Sequence, residues 1–234
     1  MNLLSCVISC YNESNNLDIL FKEINSLNIY KNVEFIIVNN GSTDNSKIIL
    51  NKLSKKYKLI KILNLKSDKG WGNGICYGLK KAKGEYLGWI HGDLQYDLKI
   101  IKIILNKLKK NKNKKIFFKG LRIKRDLYSK IFTYIMSAIC SIILRKFLWD
   151  INAQPSIFHK SFLVNLKNPP KNAQLDLFSF YKARSNKYKI KRVEVEQKDR
   201  VYGESSWNFG FSSRIKFSMQ TINDCFLKKR KFYY

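Results

Sequence analysis

The chain has 234 residues, of which 45% are hydrophobic and 14% aromatic, and this composition can fill a globular core and excludes a disordered chain. Lys and Arg number 45 against 17 acidic residues, so the formal charge of +28 predicts attraction to an anionic partner, unless most of it is solvated surface. The five cysteines form no Cys-x-x-Cys pair, and no apolar run reaches 18 uninterrupted residues. We therefore expect neither a zinc finger nor a membrane span, but reduced thiols in a cytosolic protein.

The first hundred residues alternate strand and helix signals. Apolar runs predict four strands, at 3–9, 34–40, 58–65 and 85–90. Helical periodicity predicts helices in the segments between them, at 15–27, at 42–57, and after a glycine loop that begins at residue 70. No secretory signal is expected, because no basic region and long apolar core precede the first strand. This alternation predicts an α/β fold with a Rossmann-like, mostly parallel sheet and helices on both faces.

The pattern changes after residue 98. A helix that runs into a basic turn is followed by predicted strands and helices, which lie at 116–123, 127–149, 174–186 and 188–197. No repeat or linker interrupts the chain. We predict one domain over residues 1–208 and a C-terminal amphipathic tail over 209–234 that associates with a membrane.

Polar clusters follow three of the predicted strands. They read "SCYNES" (9–14), "NNGSTD" (39–44) and "HGDLQYD" (91–97). Ligands of doubly wound sheets bind beyond the carboxyl ends of the strands, so these three loops are expected to converge on one crevice.

The motifs, in their order along the chain, resemble those of the family 2 glycosyltransferases of the GT-A fold. The resemblance is greatest to the branch that contains dolichyl-phosphate mannose synthase and bacterial polyprenyl-phosphate glycosyltransferases. It is carried by "VISCYNES", "IIVNNGSTDNS", "GWGNGICYGLKKAKGEYLGWIHGDLQYD", "GLRIKR" and "RVYGESSW". It implies inverting transfer of a hexose from a nucleotide-sugar donor to a polyprenyl phosphate, in cell-envelope biogenesis.

The resemblance also implies a donor-binding set. It consists of Ser9, Tyr11, Asn12, Glu13, Asn40, Ser42, Gly72 and Asp93. Tyr11 would stack on the nucleotide and Glu13 would accept hydrogen bonds from ribose or base, although Asn12 and Glu13 could instead form a helix-capping turn. Ser9 replaces a usual proline, and Asn39 and Asn40 replace two usual aspartates, so base selectivity is expected to differ.

The glycines of "KGWGNG" follow the third predicted strand rather than the first. Their spacing does not match a dinucleotide fingerprint. Close approach to the donor diphosphate or tight helix packing explains them better.

The metal motif of the family is Asp-any-Asp followed by Leu-Gln. Here it stands as His91, Gly92, Asp93, Leu94 and Gln95. Asp93 and Gln95 offer hard oxygen ligands for Mg²⁺ or Mn²⁺, and His91 offers a nitrogen that Mn²⁺ tolerates better. The alternatives are helix capping by Asp93 or Asp97 and a hydrogen-bonded structural His91.

Acceptor phosphates are expected to bind basic and polar side chains in the second half of the chain. The resemblance assigns this role to Arg122, Arg125, Arg200 and Ser205. Asp93 and Arg200 are the predicted catalytic residues, joined by Asp176 as general base if the acceptor is a hydroxyl. Alternatively, the arginines only contact anionic lipid.

The apolar run 131–144 lies between basic residues and is expected to face a membrane, although an ordinary core helix would show the same pattern. We therefore expect a cytoplasmic protein that is peripheral on the cytosolic face of the membrane. Its expected partners are the donor, the lipid acceptor, an anionic membrane surface and a membrane protein.

Two other functions stay open. One is transfer to a saccharide hydroxyl in surface polysaccharide or lipopolysaccharide assembly. The other is nucleic-acid binding, which is not expected because no recognition-helix, RRM, KH or zinc-finger pattern is visible.

Overall fold

The computed structural model describes residues 2–111, 113–200, 202, 215, 218–223 and 225. Its seven strands are β1 (Leu4–Cys10), β2 (Val33–Asn39), β3 (Ile60–Asn64), β4 (Tyr86–Trp89), β5 (Ile116–Ile123), β6 (Ser156–His159) and β7 (Lys189–Glu196). Its six named α-helices are α1 (Leu17–Ser26), α2 (Ser46–Lys56), α3 (Trp71–Lys81), α4 (Lys99–Lys109), α5 (Leu127–Leu144) and α6 (Leu175–Ser185). A short 3-10 helix spans Lys160–Asn165.

All seven strands form one sheet in the order β3-β2-β1-β4-β6-β5-β7. β1 to β4 are parallel, and β7 is parallel to β5. This confirms the predicted α/β class with a mostly parallel sheet. Strand β6 was not predicted, and it pairs antiparallel with both β4 and β5. Its four buried residues give too short a run to be distinguished from the preceding loop.

Of the six named helices, three cover each face of the sheet. One apolar core joins the sheet to α1, α2 and α4, and a second joins it to α3, α5 and α6. Helix α1 shows why the periodicity predicted these elements, since its buried residues Leu17, Leu20, Phe21 and Ile24 lie on one helical face.

The parallel register brings the strand ends to one edge. Cys10 of β1 lies opposite Asn39 of β2, and Asn39 lies opposite Asn64 of β3. The loops that follow these strands therefore leave the sheet at the same level, where ligands bind in doubly wound sheets.

Helix α3 begins at Trp71, so the predicted glycine loop is mostly the first turns of a helix. A Cβ at Gly74 would lie 2.3 Å from Ser9 Oγ, and one at Gly78 would lie 2.4 Å from Val7 Cγ1. These two glycines therefore let α3 pack closely on β1. Within the predicted glycine cluster, this supports the helix-packing role for Gly74, whereas Cβ atoms at Gly70 and Gly72 would meet the backbone of residues 170–172.

Helix α5 has an apolar composition on both its buried and its exposed sides. The Asp126 side chain caps its start by accepting from Ser129 N at 2.8 Å, and the helix ends before Arg145, whose φ is 50°. The predicted helix continued to residue 149 and was too long. With a mean hydropathy of 1.6 and 28% of its residues buried, α5 is the helix among the described residues that is long and apolar enough to cross a membrane.

Part of the predicted tail packs on the domain. Residues 215, 218–223 and 225 are helical, and the predicted boundary after residue 208 lies outside the described residues. Gln174 Nε2 donates to Thr221 Oγ1 at 3.1 Å, and the buried Cys225 Sγ lies 3.5 Å from Cys140 Sγ. Through Cys225 and Thr221, the tail therefore contacts α5 and the residue that precedes α6.

Candidate active site

A cleft of about 1130 Å³ opens at the carboxyl ends of β1, β2 and β4. Twelve of the predicted site residues line it: Ser9, Tyr11, Asn12, Glu13, Asn40, His91, Asp93, Gln95, Arg122, Arg125, Asp176 and Arg200. Ser42 and Gly72 are not among the residues that line the cleft, and Ser205 lies outside the described residues. The structure thus brings together residues from three strand-end loops and from the second half of the chain, while the role of each residue stays a prediction.

The loops after β1 and β2 are joined by short hydrogen bonds. Asn12, whose φ is 54°, accepts from Thr43 N at 2.9 Å through its side-chain oxygen, and its own N–H donates to Ser42 Oγ at 3.0 Å. Glu13 N donates to Ser46 Oγ at 3.0 Å. Ser42 therefore supports the loop that carries Tyr11, and Tyr11 itself lines the cleft with 43% of its surface exposed.

Glu13 is a partly buried carboxyl in the cleft wall. Burial raises the pKa of Glu13, while a hydrogen bond from Asn16 Nδ2 and the positive charge of Arg200 oppose that rise. The Asn16 amide also donates to Tyr202 O at 3.3 Å. Glu13 thus provides a hydrogen-bond acceptor beside the segment that carries Arg200.

The two asparagines after β2 have different environments. Asn39 donates to Asn64 Oδ1 at 3.0 Å and accepts from Ser42 N at 3.0 Å, so it stabilises the loop. The amide nitrogen of Asn40 donates to Asp68 Oδ1 at 2.5 Å and to Gly70 O at 3.2 Å. Asp68 also lines the cleft, and sequence reasoning missed it, although an acidic residue beside the glycine cluster was a visible signal.

Asp93 is the buried carboxylate of the loop after β4, with 4% of its surface exposed. Its Oδ1 accepts from Gln95 N at 3.2 Å, and its Oδ2 accepts from Arg200 Nη2 at 3.0 Å. The Gln95 amide nitrogen donates to Lys198 O at 3.1 Å. The His91 ring packs on Trp71 with 4.8 Å between ring centroids, so aromatic contact fixes the position of His91.

The donor atoms around Asp93 fit a divalent cation that shares its coordination with a substrate. No group of three or more His, Cys, Asp and Glu side chains is placed to hold a metal within the described part of the chain. Mg²⁺ is commonly held by one or two carboxylates together with substrate phosphates and water. The Asp93 carboxylate and the Gln95 amide oxygen suit that arrangement, and His91 adds a nitrogen donor in the same cleft.

Arg122 is a cleft residue that several hydrogen bonds hold firmly in place. Its backbone N–H donates to Asp150 Oδ2 at 2.7 Å and its Nε to Asp150 Oδ1 at 2.8 Å, while Nη1 donates to Gln197 Oε1 at 3.2 Å. Arg125 donates to Thr133 Oγ1 at 2.6 Å. Sequence reasoning missed Asp150, because it lies 28 positions after the arginine that it holds.

Asp176 is the acceptor of a buried polar network. Its Oδ1 accepts from Lys119 Nζ at 2.7 Å, Ser156 Oγ at 3.1 Å and Trp89 Nε1 at 3.3 Å, and its Oδ2 accepts from Gln154 Nε2 at 3.1 Å. Burial lowers the pKa of Lys119, and the Asp176 carboxylate opposes that effect. Sequence reasoning missed Lys119, whose signal was a single lysine within the apolar strand "IFFKGL".

The mostly parallel sheet, the helices on both faces and the cleft at the strand ends define a GT-A fold. Residues 5–163 match the family model described as Glycosyl transferase family 2. The match covers more than half of the chain, and the chain belongs to this family.

Curated relatives match the chain over part of its length. An uncharacterized glycosyltransferase of Rickettsia conorii is 39% identical over 111 residues, which are 45% of this chain and 18% of that protein. A dolichol-phosphate mannosyltransferase of Pyrococcus furiosus is 29% identical over 106 residues, 45% of this chain and 30% of that protein. A poly-beta-1,6-N-acetyl-D-glucosamine synthase of Staphylococcus epidermidis is 32% identical over 94 residues, 40% of this chain and 22% of that protein. The matched segments are thus less than a third of these relatives.

Solved structures share the fold at low sequence identity. A mannosyltransferase of Pyrobaculum calidifontis in complex with GDP-Man and Mn²⁺ has a TM-score of 0.70 at 14% identity, over 98% of this chain and 64% of that chain. Glucosyl-3-phosphoglycerate synthase of Mycobacterium tuberculosis, in complex with Mn²⁺, UDP and glucosyl-3-phosphoglycerate, has a TM-score of 0.68 at 13% identity, over 94% of this chain and 80% of that chain. These likenesses establish the fold.

Proposed function

We propose that the protein is an inverting glycosyltransferase that transfers a hexose from a nucleotide-sugar donor to a polyprenyl phosphate at the cytosolic face of a membrane. The observation that carries the proposal is the composition of the cleft. Tyr11, Glu13 and Asp93 line it, and we assign them to a donor half. Arg122 and Arg125 line the same cleft beside the apolar helix α5, and we assign them to an acceptor half. Such a pairing suits an acceptor with an anionic head and an apolar chain.

The donor half supplies groups that bind a nucleotide and its diphosphate. Tyr11 provides a partly exposed ring for stacking on the base. Glu13 provides a carboxyl group that can accept hydrogen bonds from ribose hydroxyl groups or from N–H groups of the base. A divalent cation, Mg²⁺ or Mn²⁺, would be held by Asp93 and Gln95 and would neutralise charge on the leaving nucleoside diphosphate. His91 adjoins this position and is held by its contact with Trp71.

The other half of the cleft supplies groups for a phosphate acceptor. Arg122 is fixed by Asp150, and Arg125 has one described hydrogen bond, to Thr133, so further N–H groups of Arg125 can bind phosphate oxygens. A phosphate acceptor is already an anion and needs no general base. The reaction would then be an in-line displacement by a phosphate oxygen at the anomeric carbon, with inversion.

Helix α5 supports a membrane location. Phe132, Thr133 and Met136 line the cleft, while Ile135 and Ile142 on the same helix are exposed. Lys130, Arg145 and Lys146 lie along or just after the helix and can contact anionic headgroups. Because α5 also contributes to the core of the domain, we propose that it lies in the interface rather than across the bilayer.

The test is a transfer assay with radiolabelled nucleotide sugars, a short polyprenyl phosphate and Mn²⁺ or Mg²⁺. A panel of UDP and GDP sugars is offered to the wild type and to Asp93→Asn, which keeps the side-chain size and removes the charge. We expect a glycolipid from the wild type and a loss of at least about a hundredfold in Asp93→Asn, the order found when one group that stabilises developing charge is removed. Transfer to a saccharide acceptor without any glycolipid would refute the lipid acceptor.

A second candidate is transfer to a saccharide hydroxyl, since the curated relative from Staphylococcus epidermidis is a polysaccharide synthase. Asp176 lines the cleft, and its Oδ2 has one described hydrogen-bond donor, Gln154 Nε2. A remaining lone pair of Oδ2 could therefore take the proton of the saccharide hydroxyl. This function predicts that Asp176→Asn abolishes transfer to the saccharide and that polyprenyl phosphate does not compete.

A further inference from the structure

Arg200 and Asp93 form an ion pair at the position where a donor diphosphate and its cation would meet. We infer that Arg200 serves as the counter-ion of Asp93 in the empty protein and that a divalent cation must displace it from Asp93. The cation would then bind tightly only when a nucleoside diphosphate is present to take over Arg200. The inference rests on the proposed function, because it takes a nucleoside diphosphate as the ligand.

The segment that carries Arg200 is tied to the Asp93 loop through backbone contacts. Lys198 N donates to Gln95 O at 2.8 Å, and Gln95 Nε2 donates to Lys198 O at 3.1 Å. Tyr96 and Gln197 form an antiparallel bridge next to these bonds. These contacts tie the segment that precedes Arg200 to the Asp93 loop, so the fold places the Arg200 guanidinium within reach of Asp93.

Asp93 has little solvent to stabilise its charge. It is 4% exposed, and each carboxylate oxygen has a described donor, Gln95 N on Oδ1 and Arg200 Nη2 on Oδ2. A buried carboxylate needs a counter-charge or it loses stability as an anion. Arg200 meets that need when no ligand is bound.

A divalent cation and a guanidinium cannot share Oδ2 without strong repulsion, because both would lie within hydrogen-bond or coordination distance of one oxygen. The diphosphate of a donor removes this conflict, since it offers oxygens to the cation and to Arg200 at once. Cation and nucleotide should therefore each strengthen the binding of the other by the same factor.

The test is a titration of the full chain with Mn²⁺, in which free Mn²⁺ is measured by electron paramagnetic resonance without sugar or acceptor. We expect Arg200→Gln to bind Mn²⁺ alone about tenfold more tightly than the wild type, because the competing cation is gone. Lys198→Gln is the matched control, since it removes the same charge from the same segment while its bonds to Gln95 come from the backbone. Its Mn²⁺ affinity should change by less than about threefold.

A charge-preserving variant, Arg200→Lys, and a second titration with nucleotide test the inference further. Lysine keeps a cation beside Asp93, so this variant should bind Mn²⁺ as weakly as the wild type. Adding UDP or GDP should tighten Mn²⁺ binding to the wild type more than to Arg200→Gln. The inference is overturned if Arg200→Gln binds Mn²⁺ alone no more tightly than Lys198→Gln. Because no glycosyl transfer is measured, that result would leave the proposed transfer to a lipid untouched.

Discussion

Asp150 compensates the positive charge of Arg122 and also holds the Arg122 backbone beside the cleft. Its φ of 45° is in the left-handed region, and its carboxylate accepts from the backbone and the guanidinium of Arg122. Burial opposes its ionisation, but Arg122 holds the pKa of Asp150 below its ordinary value. An aspartate is favoured here because its short polar side chain tolerates left-handed backbone and can pair with the buried arginine.

We expect Asp150→Asn to lower the free energy of unfolding at pH 7 by about 3 kcal/mol, because Arg122 would lose the charge that compensates its burial. Asparagine adopts left-handed backbone as readily, so backbone strain adds little. The folded pKa of Asp150 is depressed, so its stabilisation is complete above the unfolded pKa and is lost as pH falls through the folded value. Urea unfolding at pH 7 and at steps from pH 5 to pH 2 measures both effects.

The matched control is Glu196→Gln, which breaks the exposed ion pair with Lys124 and should change stability little. The difference in unfolding free energy between Asp150→Asn and the wild type should shrink as the pH falls. A difference that stays constant over that pH range would mean that the charge of Asp150 does not stabilise the fold.

At the scale of elements, hydrophobic periodicity predicted the presence of the helices better than the residues at which they begin and end. The first glycines of α3 suggested a loop, yet packing against β1 requires glycine inside the helix, and periodicity cannot reveal which neighbour excludes a side chain. Strand β6 was missed because four buried residues between loops carry no pattern of their own. The existence of the longer elements therefore followed from local pattern, whereas strand β6 and the exact bounds of the other elements depended on tertiary contacts.

Helix α5 has two apolar sides with different partners. Met136, Cys140 and Leu144 are buried in the domain, whereas Ile135 is 54% exposed and Ile142 is 77% exposed. A periodic sequence alone cannot tell which apolar face packs on the core and which contacts lipid. The sequence therefore left two interpretations of this segment open, a membrane-facing helix and an ordinary core helix. The exposed isoleucines now give a way to test the membrane interpretation.

We expect Ile135→Gln with Ile142→Gln to weaken binding to liposomes by about tenfold or more, since burial of one such side chain contributes about 1.5–3 kcal/mol when complete and 1.4 kcal/mol is a factor of ten. Sedimentation of the protein with sucrose-loaded vesicles of phosphatidylcholine and phosphatidylglycerol measures the partition. The matched control is Ile48→Gln with Ile103→Gln, which are 69% and 50% exposed on α2 and α4, on the other face of the sheet. Equal losses in both double variants would contradict docking through α5.

At the scale of the whole molecule, the alternation of strands and helices was enough to predict one cleft at the strand ends. The rule about carboxyl ends places the loops after β1, β2 and β4 together without any knowledge of contacts. The contacts that complete the cleft could not be predicted by such a rule. Arg200 reaches Asp93 across 107 positions, and Asp176 meets Lys119 across 57, and no periodicity encodes pairs that far apart.

The formal charge of +28 is also a property of the whole molecule, and its partner can be identified by salt dependence. We expect binding to anionic vesicles to fall at least tenfold between about 0.05 and 0.5 M NaCl, because screening shortens the reach of surface charges from more than 10 Å to a few ångströms. A fraction of the binding should persist at high salt through α5, and that fraction should be lost in Ile135→Gln with Ile142→Gln. Parallel titrations with double-stranded DNA and with RNA at the same salt concentrations complete the measurement. Nucleic-acid binding at 0.15 M salt that exceeds vesicle binding would contradict a membrane surface as the main anionic partner.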